Sequence, residues 1–478
     1  MARHFSLKVV VFFLVAAGVC AATKYVSPPP AGSDGAGGSS SAPWATLQYA
    51  ADNVRAGDTV VVGPGAYKGF VMGFDSPANG TKGRPIVIRA ESGAVINDKN
   101  SKTADAINLE GASYIVIDGF TIKNTKGAIT RAGIRAVVDT GVVIRNNTID
   151  SCGTWGIFTG FSESILIENN STSRSVQQHG IYFSNSADHP VIRGNRSWGN
   201  SGCGIHMNGD VSMGGDGIIS NALVENNVIW DNGRSGGSGI NCDGVQHSRI
   251  QNNLLYNNHA SGISLFQGDA AQAATNDTVV NNTILEASDA RWCLNIKNGS
   301  TGSVVMNNIL YNLHSWHGSI SIDKESLTGM RSDYNVVMDR LSPDDDNTVM
   351  KLTEWTSSTG QDAHSIPATP EQLFADVAAG NFRSKAGSPA IDAGTPENAP
   401  TADILGITRP VNSKHDIGAY EFTSSAVLSR SNGIAGNVLP HIVKRRANSI
   451  AVDVSGRIVF SRQPSGKNRL FQRVILRP

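Results

Sequence analysis

Cysteine is scarce in this chain, with 5 among 478 residues, and no C-x-x-C occurs. Redox dithiol motifs and the small disulfide-stapled domains are thereby excluded, and the cysteines follow no metal-ligand spacing. Long apolar runs are also few. Apart from residues 9–19, no stretch approaches the length of a membrane span. Neither sign of charge is in excess, since 40 basic residues balance 40 acidic ones. Basic patches interleaved with aromatics are missing, so neither a nucleic-acid backbone nor an anionic membrane is an expected partner. Aromatics make up only 6%. Helical periodicity in Ala, Leu, Glu and Lys is nearly absent from the middle of the chain, which excludes the helical repeat arrays.

What is present instead is a degenerate repeat of roughly two dozen residues. An apolar pair leads into Asn-Asn at Asn146-Asn147, Asn169-Asn170, Asn226-Asn227, Asn252-Asn253, Asn281-Asn282 and Asn307-Asn308, with Gly194-Asn195 in the same place. A later Gly-Ile opens a second short apolar run. Between these signals the chain is β-branched and rich in glycine, with 51 in all. Each repeat therefore reads as one coil of three short strands, and stacking such coils lets a long chain form one continuous core.

Residues 1–21 read as a cleaved secretory signal: Arg3, His4 and Lys8 precede the apolar run, and Val19-Cys20-Ala21 supplies a cleavage site. Val19 is too bulky for a lipoprotein signal at Cys20. The mature chain is expected to be exported and, after processing, to keep Cys152, Cys203, Cys242 and Cys293 as buried free thiols. Cys203 and Cys242 fall on neighbouring coils but about four residues apart along the strand, too far to bridge. Residues 22–422 are expected to form one solenoid, 423–446 a Ser-rich linker, and 447–478 a small β-prone tail. A helix over 44–54, with apolar residues at helical spacing, is expected to cap the open end of the core.

Tyr25-Val26-Ser27, Trp44-Ala45-Thr46-Leu47, Ala56-Gly57-Asp58-Thr59-Val60 and Gly65-Ala66-Tyr67 resemble the opening of right-handed parallel β-helix proteins of the pectate-lyase-like superfamily. Ser388-Pro389-Ala390-Ile391-Asp392-Ala393-Gly394, Arg409-Pro410 and Asp416-Ile417-Gly418-Ala419-Tyr420-Glu421 are similar to a closing segment of exported bacterial β-helices. The tail resembles sorting or surface-attachment modules of Gram-negative secreted proteins. The resemblance implies an all-β, right-handed parallel β-helix solenoid, secreted or at the cell surface, monomeric, with a polysaccharide as its partner.

Two outward faces differ. Before each Asn pair stand Arg145, Glu168, Arg193, Glu225 and Gln251, alternating in sign, which describes a solvated scaffold. The Asn column itself reads as a structural ladder that tolerates left-handed corners. The Gly-Ile strands, aligned on their inward Ile column, present Phe158, Tyr182, His206, Asn241, Ser264 and Asn295 in one outward ladder. Gly160, Ser184, Asn208, Asp243, Phe266 and Lys297 form a second. Aromatic, imidazole, amide, carboxylate and ammonium groups on one face make a saccharide-binding or catalytic surface. Insertions after His206 and Phe266 carry Asp210, Asp216 and Asp269 and are expected to wall a cleft beside it.

From this pattern the expected catalytic residues are His206, Tyr182, Asp243 and Lys297. Substrate is expected to meet Asn208, Asn241, Asn295, Ser184, Phe158, Phe266, Asp210 and Asp269. His179 and His259, at strand starts, read as corner or core residues. A His beside a Tyr suits abstraction of a C5 proton from a uronate and return of a proton to the leaving oxygen, so a lyase acting on an acidic polysaccharide is the first reading. Paired aspartates about 5–9.5 Å apart would instead serve a glycoside hydrolase, and a non-catalytic glycan-binding surface protein is the third. The same aspartates offer oxygen ligands, and the resemblance makes calcium the candidate metal. The tight Asp cluster and basic neighbour of pectate lyases have no counterpart here. Nor does the Asp-Pro-His run of mannuronan epimerases, although Gln178-His179-Gly180-Ile181 is loosely similar to a segment near their active site.

Overall fold

The computed structural model describes residues 21–74 and 78–423, together with a short antiparallel pair, Ala451–Val452 with Ile458–Val459. The leader, most of the linker and most of the tail lie outside the described residues. The chain winds into a right-handed parallel β-solenoid with three long sheets of 12, 11 and 12 strands. Each coil visits them in fixed order. Val143–Arg145 lies in the first sheet, Thr148–Asp150 in the third and Trp155–Gly160 in the second, before Leu166–Glu168 returns to the first.

The strand periodicity explains the core. Ile144 pairs in register with Ile167, which pairs with Ile192, and the column continues through Val224, Ile250, Val279 and Val305. Ile157, Ile181, Ile205, Ile240, Ile263, Leu294 and Ile320 form the matching column of the second sheet. Every member of both columns is fully buried in one continuous cluster. Each such side chain contributes roughly 1.5–3 kcal/mol on leaving water.

The two residues of the Asn pair divide the corner between them. The first turns the chain in the left-handed region, with φ of 58° at Asn146, 55° at Asn169 and 57° at Asn226, and Gly194 takes the same turn at 64°. The second points inward and builds an amide ladder. Asn147 Nδ2 donates to Asn170 Oδ1 (2.9 Å), Asn170 to Asn195 (3.1 Å), Asn195 to Asn227 (3.1 Å), and so on through Asn253, Asn282, Asn308 and Asn335. Backbone N–H groups that the corner would orphan are accepted by the same oxygens, so the interior turn leaves no polar debt. A shorter ladder runs through Asn200, Asn232 and Asn258 at the next corner. On the following coil the buried polar group beside Asn258 is Glu286.

A helix forms at Leu47–Asn53, shorter than the expected 44–54, with Thr46 Oγ1 accepting the Tyr49 N–H. Gln48 on it pairs by its amide with both backbone groups of Val71. The segment resembling a closing piece packs along a flank. Leu373, Phe374, Phe382, Ala390 and Ile417 cover Val228, Leu254, Ile309 and Val336 on the outer face of the third sheet. Arg409 and Glu421 make a fully buried ion pair there (2.6 Å), and Asn252, Asn281 and Asn307 donate to backbone oxygens of this segment.

Candidate functional site

The outer face of the second sheet carries the ladder in the expected register. Phe158 pairs with Tyr182, Tyr182 with His206, His206 with Asn241, Asn241 with Ser264, and Ser264 with Asn295. Beside it, Gly160, Ser184, Asn208, Asp243 and Phe266 follow one another. Both insertions lie over this face and join each other, since Val211 N–H donates to Asp269 O and Ala271 N–H to Gly217 O, each at 3.0 Å.

Five rings meet on three coils. Trp155 lies 4.5 Å from Phe158, Phe158 5.4 Å from Tyr182, and Tyr182 stands edge-on to His206 at 4.8 Å. His179 stacks on His206 at 4.6 Å and meets the edge of Tyr182 at 5.1 Å. His179, expected as a corner or core residue, sits at a corner and from there joins the ring cluster. Its position just before the Gly-Ile start puts it outside the strand alternation that located the ladder. Cys203 N–H donates to His179 Nδ1 (2.9 Å), so the ring proton of His179 resides on Nε2. Burial pushes His179 down to about 4. It also holds His206 well below its ordinary value, with the neighbouring His179 adding to the effect.

His206 is oriented from behind. Ser238 Oγ donates to Asn241 Oδ1 (3.1 Å), which leaves the Asn241 amide nitrogen facing His206 Nδ1 at 3.1 Å. Nδ1 then accepts, and the opposite edge of the ring offers an Nε2–H donor. The Tyr182 hydroxyl accepts from Asn208 Nδ2 (3.2 Å). Its acidity is weakened by burial and by the surrounding Asp210, Asp269 and Asp243 carboxylates.

The remaining expected residues separate by function. Asp243 is buried and accepts the N–H groups of Gly268 and Asp269 at 2.7 Å and of Ala270 at 3.4 Å, so it ties down the second insertion. Burial nevertheless raises its pKa. Asp210 accepts from Ser212 N and Oγ, Asp216 from Ile218 N, and Asp269 approaches Asn208 Nδ2 at 3.5 Å. Asp210 and Asp216 face N–H and O–H donors within their own loops and Asp269 faces the Asn208 amide nitrogen, which does not fit a calcium cage. Ser184 Oγ donates to Thr159 O (2.7 Å) and Ser264 Oγ lies 2.8 Å from Ser238 Oγ. Asn295 and Phe266 are half-buried farther along the ladder. Lys297 is not brought to His206. It follows Phe266, three coils or about 14 Å beyond Asn208, and it pairs with Asp345 and Asp346. His259 is held by Asp289 (2.8 Å), away from the ring cluster.

A cation at the aromatic end is Arg135, which precedes Phe158 in the same ladder. Its guanidinium lies 5.6 Å from the Phe158 ring and pairs with Glu110. Extending the outward column one coil upstream finds it. Trp155 Nε1–H donates to Gln178 Oε1 (2.7 Å) at the rim.

The family described as "Right handed beta helix region" matches residues 85–213. No curated protein matches the chain. Among solved structures, pectate lyase Pel9A is 18% identical, covering 85% of this chain and 98% of that one at a TM-score of 0.58. XylC in complex with xylose is 12% identical, covering 84% and 98% at a TM-score of 0.52. An alginate lyase from a Paenibacillus species is 22% identical over 57% of this chain and 93% of its own, at a TM-score of 0.45. The family match and the two likenesses with TM-scores of 0.58 and 0.52 agree with the coil geometry: the chain has the right-handed parallel β-helix fold.

Proposed function

We propose that this is an exported, polysaccharide-active protein that cleaves a uronate-containing chain by β-elimination. The observation that carries the reading is the two-coil cluster of Tyr182, His206 and His179, flanked by Asn208 and by the Trp155 and Phe158 rings. Aromatic faces suit the apolar faces of sugar rings, and the neutral N–H edges and amide suit a uronate carboxylate.

In the reaction the Tyr182 hydroxyl first gives its proton to solvent, which burial and the nearby carboxylates oppose, so turnover is expected to rise with pH, and the phenolate oxygen then takes the C5 proton. The electron pair forms the C4=C5 bond, the C4–O4 bond breaks, and O4 recovers the proton from Tyr182. Charge building on the substrate carboxylate meets His206 Nε2–H and Asn208, fixed donors that need no reorganisation. The Asn241 contact supports this division, because it makes His206 a donor and shifts the expected role of base from His206 to Tyr182. Asp243 serves as the anchor of the wall, which removes the strongest support for a paired-carboxylate hydrolase.

The test is a screen of acidic and neutral polysaccharides, followed by the ultraviolet absorbance of the unsaturated product. Tyr182→Phe and His206→Ala are each expected to lower kcat by roughly 10²–10⁴-fold with little change in melting temperature. New reducing ends without the unsaturated chromophore would replace the lyase by a hydrolase. Binding without turnover would make the face a glycan receptor.

A further inference from the structure

Of the four cysteines among the described residues, all are buried and free, but only three join the hydrophobic core. Cys152, Cys242 and Cys293 lie in it, whereas Cys203 packs outside it against two imidazoles. Cys203 and His206 share the start of one strand, and His179 occupies the same corner one coil earlier. One donor atom from each of His179, Cys203 and His206 falls within 4.8 Å of the others. This is the sole group of three or more such donors among the described residues.

We propose that His179, Cys203 and His206 form a site for a borderline-soft divalent cation of the zinc class. The inference does not depend on the lyase reading. Metal–nitrogen bonds of about 2.0–2.1 Å and a metal–sulfur bond of about 2.3 Å place tetrahedral donors roughly 3.3–3.7 Å apart. Cys203 Sγ and His206 Nδ1 already stand at 3.5 Å. The third donor closes on them by a ring adjustment of about 1 Å, in which His179 turns its Nδ1 lone pair from the Cys203 N–H to the metal and the Asn241 amide turns away from His206 Nδ1.

The chemistry of the surroundings selects the ion. Neither imidazole of the trio pairs with a carboxylate that would hold it protonated, and histidine ligates in its neutral form. Cys203 Sγ already receives the Ser238 N–H at 3.3 Å, the kind of outer contact that steadies a metal-bound thiolate. A nitrogen and sulfur donor set prefers zinc, cobalt or copper over calcium or magnesium. Three protein ligands leave the fourth position open on the half-exposed side of the imidazoles, where water or a ligand oxygen would complete the shell. Sequence spacing conceals the set because stacking, rather than a short motif, assembles it.

Titration of the metal-free protein with Co²⁺ tests the assignment directly. One equivalent is expected to bind, with a sulfur-to-cobalt charge-transfer band, and Zn²⁺ is expected to displace it and raise the melting temperature. Cys203→Ser, a near-isosteric change, should abolish the band and weaken Zn²⁺ binding by more than the roughly 10–100-fold typical of losing an outer-shell partner. His179→Ala should weaken binding as well, whereas His259→Ala, at an unrelated histidine, should not. Absence of a sulfur-to-cobalt band in the wild type, or its persistence in Cys203→Ser, would overturn the site.

Discussion

The outer faces of the first and second sheets are built on the same coils and share one core, yet they differ in what their ladders do. On the first sheet the charges before the Asn pairs meet an opposite charge or an amide on a neighbouring coil. Arg145 pairs with Asp118 (2.9 Å), Arg193 with Glu168 (2.8 Å), and Glu225 accepts from Gln251 (2.8 Å). On the second sheet, from Phe158 to Asn241, no such pairs occur among the described residues. Rings touch rings, and amides hold an imidazole and a phenol in fixed orientations. A parallel stack repeats each chemical choice every 4.8 Å or so. A face is inert where neighbouring residues neutralise one another and reactive where they leave donors and acceptors unspent.

The comparison rests on the in/out register, and the largest effect comes from breaking it. Ile205 and Ile240 are fully buried neighbours in the second-sheet column. Ile205→Asp removes an apolar side chain worth about 2–5 kcal/mol and buries a carboxylate at several more, against a typical total stability of about 5–15 kcal/mol. The variant is expected not to fold, as read by loss of the cooperative melting transition. A normal melt would show that the two faces have been assigned to the wrong sides of the strand.

Much of this organisation was legible in the sequence, because a period-2 strand and a fixed coil length are all that the alignment needs. The pairing of Tyr182 with His206 and of His206 with Asn241 follows from that arithmetic alone. Three things did not follow. His179 enters the site from a corner, where alternation does not apply. Asp243 satisfies backbone N–H groups 25–27 residues later, a role that loop geometry decides. Lys297 is captured by Asp345 and Asp346, a contact set by how later coils lie over it. A fourth feature was present but unread. The outward column of the third sheet runs Thr148, Ser171 and Arg196, then turns apolar at Val228 and Leu254, and that change marks where the 370–422 segment docks.

A smaller effect sharpens the scaffold side of the comparison. The corner ladders use amides, which stay neutral at every pH, but each ends on a buried carboxyl: Asp362 accepts from Asn335 (3.0 Å), and Glu286 stands fully buried beside Asn258. Burial lifts its carboxyl from 4.5 to about 8. A folded pKa above the unfolded one means that the folded state holds the proton more tightly. This contribution to stability is complete below about pH 4.5 and is lost progressively as pH rises toward 8, at up to about 1.4 kcal/mol per unit. Glu286→Gln should therefore raise the melting temperature at pH 7–8 and flatten its fall between pH 5 and 8. Melts at several pH values decide it, and an unchanged slope in the variant would mean that Glu286 is not the buried acid responsible.

The smallest effects set an anchor against a surface pair. Asp243→Asn keeps the side-chain volume but loses a charge that receives three backbone N–H groups, so the insertion at 267–277 should loosen at a cost of about 1–3 kcal/mol. Limited proteolysis should then cut first within that loop. Glu168→Ala deletes a carboxylate whose partner Arg193 is 42% exposed, and pairs of that kind contribute about 0–1 kcal/mol. Its melting temperature and its turnover should stay near wild type, because water replaces the lost partner on an open face. Under the wall, Asp243 has no such substitute: the amide NH2 of the variant would face the Asp269 N–H, donor against donor. If Glu168→Ala loosened the loop or lowered turnover as much as Asp243→Asn, the division into a scaffold face and a working face would fail. If Asp243→Asn left the loop protected, the anchor role would pass to the contacts between the two insertions, Val211 with Asp269 and Ala271 with Gly217.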